Sequence, residues 1–110
     1  MDMKATTIAA AVAALSLWPG AVQAQDIDAG AERYAQNCVN CHGREGRGMA
    51  SFPSIAGHEA DYLADRLRTY RAREMVGPNS AIMMSLAQDL TDAEVADLAA
   101  YISATFTDGG

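Results

Sequence analysis

Several residue types are scarce in this 110-residue chain: it has two Cys, two His, three Pro and one Trp, and its single Lys is Lys4. A structural zinc site would need two ligands beyond the two Cys, and with His42 adjacent to Cys41 the chain offers only His58 elsewhere, so a zinc domain fits poorly. No stretch alternates apolar and polar residues over a useful length, which argues against strands. No internal repeat is present, so any unit that the sequence encodes occurs once. The length allows one small domain and excludes a multidomain enzyme.

Long apolar runs are missing except near the start. Residues 1–24 hold 16 of the 55 apolar residues, including Trp18. Lys4 provides a positive start, Ile8 to Trp18 is almost purely apolar, and Pro19 and Gly20 precede the small-residue end Val22-Gln23-Ala24. This is the layout of a secretory signal peptide, with cleavage expected after Ala24 and Gln25 as the new N-terminus. The run is shorter than the ~18 residues that usually span a bilayer, so stable membrane insertion is not expected. The expected mature domain, residues 25–110, is exported to the periplasm. It carries 39 apolar residues, 15 of them Ala. So thin a core calls for a disulfide, a metal or a cofactor to complete it.

The cysteines decide among these. An even count in an exported chain ordinarily implies a disulfide, but Cys38-Val39-Asn40-Cys41-His42 has the C-x-x-C-H spacing of a c-type haem attachment site. Two thiols one helical turn apart reach the two vinyl groups of one porphyrin, and the following His reaches its iron. A thioredoxin-like redox pair would need a βαβ pattern, which is missing. The cofactor expected is one covalently bound haem c, held by Cys38 and Cys41 with His42 as an axial ligand.

The occupant of the sixth iron position separates electron transfer from gas binding or peroxidase-like chemistry. Met49, only seven residues after His42, has difficulty reaching the far haem face, and Met75 follows directly on a probable helix. Met83 and Met84 follow Gly77-Pro78-Asn79, between two helical patterns, where a loop could deliver a thioether; either one fits.

The rest of the chain reads as helices. Asp28 precedes Ala29 to Asn37, with Gly30 and Tyr34 on one face. Gly43, Gly46, Gly48, Pro53 and Gly57 mark an irregular stretch. Glu59 to Arg73 places Leu63, Leu67 and Tyr70 on one side, ending towards Gly77-Pro78. Thr91-Asp92-Ala93-Glu94 is a capping box, followed by Val95, Leu98, Ala99 and Ile102 on one face with Tyr101 beside them. The expected fold class is all-α, with three main helices packed around the haem.

Over nearly all of residues 25–110 the sequence resembles the class I cytochromes c, and within them the small bacterial exported monohaem proteins. The resemblance is carried by Gly30 and Tyr34, Cys38 to Gly43 with Gly46 and Gly48, Phe52 to Gly57, Tyr62-Leu63, and Met83 to Asp92 continuing to Ile102. In that pattern the axial Met stands four residues before the Ala and seven before the Leu that precedes the cap; counted from Ala87 and Leu90, this implies Met83 rather than Met84. The resemblance also implies that the Pro53 carbonyl accepts a hydrogen bond from His42, and that the first and last helices cross through Gly30, Tyr34, Leu98 and Tyr101. It implies an electron carrier rather than an enzyme. The main expectation is a periplasmic carrier working between redox partner proteins such as a dehydrogenase subunit and a terminal oxidase. The alternative is a haem subunit of an exported oxidoreductase, with a flavoprotein or molybdenum subunit oxidising a sulfur compound.

The formal net charge is −6. Residues 33–73 hold all seven Arg against four acids, while residues 74–110 hold six acids and no base. Such a dipole can orient encounter with a partner, and an acidic exported domain is not expected to bind nucleic acid.

Overall fold

The computed structural model describes residues 25–107; the expected leader, its cleavage after Ala24 and the last three residues lie outside the described residues. The first helix, α1 (Ile27–Asn37), begins two residues earlier than Asp28 predicts. Asp26 is the cap: its carboxylate accepts the Ala29 amide at 3.0 Å. Asp28 then falls inside the first turn, where its charge suits the positive helix end. Cys38 ends α1, and a single further turn, α2 (Val39–His42), carries the second cysteine and the histidine.

The glycine-marked stretch after His42 is irregular, as expected, with one isolated bridge between Met49 and Phe52. The middle helix, α3 (Ala60–Arg71), stops earlier than the periodicity predicts. Its end is a Schellman turn, in which Glu74 N–H donates to Thr69 C=O at 3.1 Å and Arg73 N–H to Tyr70 C=O at 2.9 Å. Arg73 stands at φ +62°, where Gly is usual. Backbone geometry at Arg73, rather than Gly77-Pro78, ends the helix.

The segment that carries Met83 and Met84 departs from expectation. It is a helix, α4 (Ser80–Ala87), rather than an open loop. Ser80 is buried, and its hydroxyl accepts the Val76 and Gly77 amides at 2.9 and 2.8 Å, which closes the preceding turn and launches the helix. The last helix, α5 (Asp92–Thr105), has the predicted capping box: Thr91 Oγ accepts the Glu94 amide at 3.1 Å, and Glu94 accepts the Thr91 amide at 3.0 Å.

The described residues thus form an all-α structure of three longer and two short helices. Helices α1 and α5 cross at Gly30. A Cβ there would collide with the Asp97 carbonyl oxygen and lie 2.8 Å from Tyr101 Cβ, so only Gly allows this approach. Tyr34 packs beside it, its ring 5.6 Å from Tyr101 and 5.2 Å from Phe106. The expected crossed contact is therefore present. Val95 and Leu98 are the most deeply buried large side chains; each contributes about 1.5–3 kcal/mol by leaving water. The small buried set around them, with Leu63, Ile102 and Phe106, is the thin core that composition predicts.

Candidate functional site

His42 is 7% exposed, and its Nδ1 lies 2.8 Å from the Pro53 carbonyl oxygen. A carbonyl only accepts, so Nδ1 carries the proton and donates it. This fixes the tautomer: Nε2 keeps its lone pair for a metal. Because His42 ends the one-turn helix α2 and Pro53 sits in the following loop, the two meet only when that loop folds back.

Cys38 and Cys41 are both free thiols, one turn apart at the start of α2. Burial pushes the Cys38 thiol up to about 11, with Arg33 partly opposing and Cys41 adding to the rise. A redox-active C-x-x-C needs the reverse, a thiol whose pKa is depressed.

Both cysteines and His42 line a cavity of about 360 Å³. Leu67 and Tyr70 of α3 and Leu90 and Leu98 supply apolar walls, while Phe52 and Pro53 enter from the loop. Met83 of α4 lines the same cavity. Met84 is half-buried but does not reach this cavity, and Met49 and Met75 are 51% and 63% exposed. His58 is stacked on Tyr62 at 4.5 Å, away from the cavity. Among the described Met and His residues, Met83 alone lines the cavity with His42.

Three supporting groups escaped the sequence reading. Arg33 lines the cavity and pairs with Glu94 at 3.1 Å, joining α1 to the cap of α5. Arg71 reaches Asp92 at 2.6 Å and the Leu90 carbonyl at 3.0 Å. Gln88 donates to the Arg71 carbonyl at 2.9 Å and the Met84 carbonyl at 3.1 Å, tying the end of α3 to α4. Only Glu94 had a local signal, its place in the capping box. Apart from the local Gln88–Met84 contact, the partners are far apart in sequence, so no spacing rule finds them.

The residues present fit haem c: an apolar-walled cavity, two reduced thiols at its edge, and a histidine whose free nitrogen is set by its partner. Comparison with known proteins points the same way. The cytochrome c family profile matches residues 27–106. Cytochrome c-554(548) of Halomonas halodenitrificans is 41% identical over 81 residues, which span 73% of this chain and 96% of that protein. The thiosulfate dehydrogenase electron acceptor of Stutzerimonas stutzeri is 37% identical over 66% of this chain but only 34% of its own length. The structure of cytochrome c4 from Acidithiobacillus ferrooxidans superposes with a TM-score of 0.60 at 26% identity, covering 76% of this chain and 52% of that one. Helical architecture, the C-x-x-C-H turn and these likenesses converge: the chain belongs to the cytochrome c family and is a monohaem electron carrier with covalently bound haem c.

Proposed function

We propose that residues 25–110, released from the leader after Ala24, form a periplasmic carrier in which Cys38 and Cys41 would bond the haem and His42 and Met83 would hold its iron. The observation that carries the ligand assignment is that one cavity is lined by His42, with its ring fixed by Pro53, and by Met83 but not Met84. When bound, haem c supplies a one-electron ferric/ferrous couple.

The chain's residues do the rest. Pro53 orients the imidazole and strengthens its donor nitrogen. Met83 offers a neutral thioether, which with His favours a higher potential than two histidines would. Both ligands stand on helices whose ends are tied, α2 through Tyr34 to Gly43 and α4 through Ser80 and Gln88. Little therefore has to move when charge changes. Leu67, Leu90 and Leu98 keep water from the cavity.

The test is the sulfur-to-iron charge-transfer band of the ferric protein. It is present in the unmodified protein, is lost in Met83→Ala and survives in Met84→Ala. Loss in Met84→Ala alone would overturn the assignment. Absence of the band in the unmodified protein, with rapid carbon monoxide binding in the ferrous state, would support the gas-binding or peroxidase-like class instead.

The likeness to thiosulfate dehydrogenase electron acceptors supports a second, finer reading: the donor is a dehydrogenase that oxidises a sulfur compound, acting on this chain as a separate carrier or as a tightly bound haem subunit. Periplasmic extract supplied with thiosulfate then reduces the ferric protein. No reduction under those conditions, with other donors active, argues for a different partner. Co-purification with a catalytic chain marks the subunit form.

A further inference from the structure

The loop after α2 turns back towards His42 at Gly48, whose φ is +75°. A Cβ built on Gly48 would collide with the Phe52 carbonyl oxygen and lie 2.7 Å from the Pro53 carbonyl carbon and 2.8 Å from its oxygen. All three are backbone atoms, so no side-chain rotation relieves the overlap. The Gly48 amide meanwhile donates to the His42 carbonyl at 2.8 Å. Gly48 therefore touches both the backbone that carries the imidazole and the carbonyl that orients its ring.

Two neighbouring glycines lack this double contact. Gly43 has a similar left-handed φ of +84°, yet a Cβ there meets nothing within 4 Å. Gly46, at φ +69°, would press a Cβ on the Phe106 ring, 2.7 Å from its nearest atom. That is a side chain of the core rather than the backbone of Phe52 or Pro53.

We propose that Gly48 is a positioning residue for His42: its missing side chain lets the Pro53 carbonyl approach Nδ1, and its amide holds the histidine backbone against the same carbonyl. The proposal rests on His42 being the proximal iron ligand. Any side chain at position 48 displaces the Pro53 carbonyl and weakens the bond it accepts. A less strongly hydrogen-bonded imidazole is a poorer electron donor, which favours the ferrous state.

The experiment compares the reduction potentials of holoprotein carrying Gly48→Ala or Gly46→Ala with that of the unmodified protein. Gly48→Ala shifts the potential upwards. Gly46→Ala, which also has a left-handed φ but whose Cβ meets the Phe106 side chain, loses stability with a clearly smaller shift. An unmoved potential in Gly48→Ala with its low-spin spectrum retained would overturn the proposal, and so would an equal shift in Gly46→Ala. If Gly48→Ala does not accumulate, hydrogen exchange in the unmodified holoprotein gives the answer. The Gly48 amide and the His42 Nδ1 proton then show matching protection; a Gly48 amide about tenfold less protected overturns the coupling. Failure of the ligand reading is visible separately, as an absorption spectrum that His42→Ala leaves unchanged.

Discussion

The hydroxyl of Tyr34 donates to the carbonyl of Gly43 at 2.5 Å, linking a core ring of α1 to the residue that follows His42. The bond spans the whole haem-attachment turn. It makes the packing of α1 on α5 part of what holds the histidine.

Tyr34→Phe keeps the ring and removes the bond. Stability should fall by about 1 kcal/mol, read from the denaturant midpoint at neutral pH. A pH dependence follows as well. Burial, with Cys38 and Tyr101 adding, raises the Tyr34 pKa well above its ordinary value near 10. The unfolded chain thus releases this proton first, so the contribution is complete below pH 10 and is lost as pH rises beyond it. Tyr34→Phe should show a shallower decline above pH 10; an identical alkaline limb would refute the assignment.

Glu94 divides its carboxylate between two tasks, with Oε1 accepting the Thr91 amide and Oε2 facing Arg33 at 3.1 Å. The Thr91 amide, opposed by desolvation and assisted more weakly by the Thr91 side chain and Arg33, holds its pKa below the ordinary carboxylate value. Its stabilisation is therefore present above about pH 4.5 and is lost as pH falls through the lowered folded value. Glu94→Gln can still cap the helix but cannot pair with Arg33. Acid unfolding curves should lose part of their slope below pH 4.5 in the variant. Superimposable curves would show that the pair contributes nothing to acid stability.

Ser80 closes the turn from Val76 to Gly77, and both of those residues line the cavity with Met83. Ser80→Ala leaves two amides without their acceptor, at a cost of about 1 kcal/mol. With Met83 as the proposed sixth ligand, the loosened turn should let added imidazole take that position in the ferric protein more readily, by roughly fivefold, the factor that ~1 kcal/mol gives. Spectral titration with imidazole measures this directly. Unchanged affinity alongside reduced global stability would mean that the turn does not guard the sixth position.

The attachment site was legible because its chemistry is local. Cys38, Cys41 and His42 lie within five consecutive residues, and their spacing alone specifies two thiols and a nitrogen on one turn. The capping box at Thr91 was legible for the same reason. Apolar periodicity carries the C-terminal end of the middle helix two residues too far, because that end depends on Arg73 adopting a left-handed conformation, which periodicity does not report. In the sequence the segment with Met83 looks like a loop because Gly77-Pro78 breaks one helix, and nothing short of the folded turn shows Ser80 starting another.

By itself, then, the sequence determined the helical class, the thin core and the haem-attachment turn, since each follows from residue type and short-range spacing. Tertiary structure alone decided that Arg33 meets Glu94 and that Gly48 lies against Pro53, and it brings Met83, which the family register had implied, to the cavity with His42. Those relationships depend on how segments distant in the chain come to share space. Close packing and the need to satisfy buried backbone groups settle that, and neither is written in the spacing of residues.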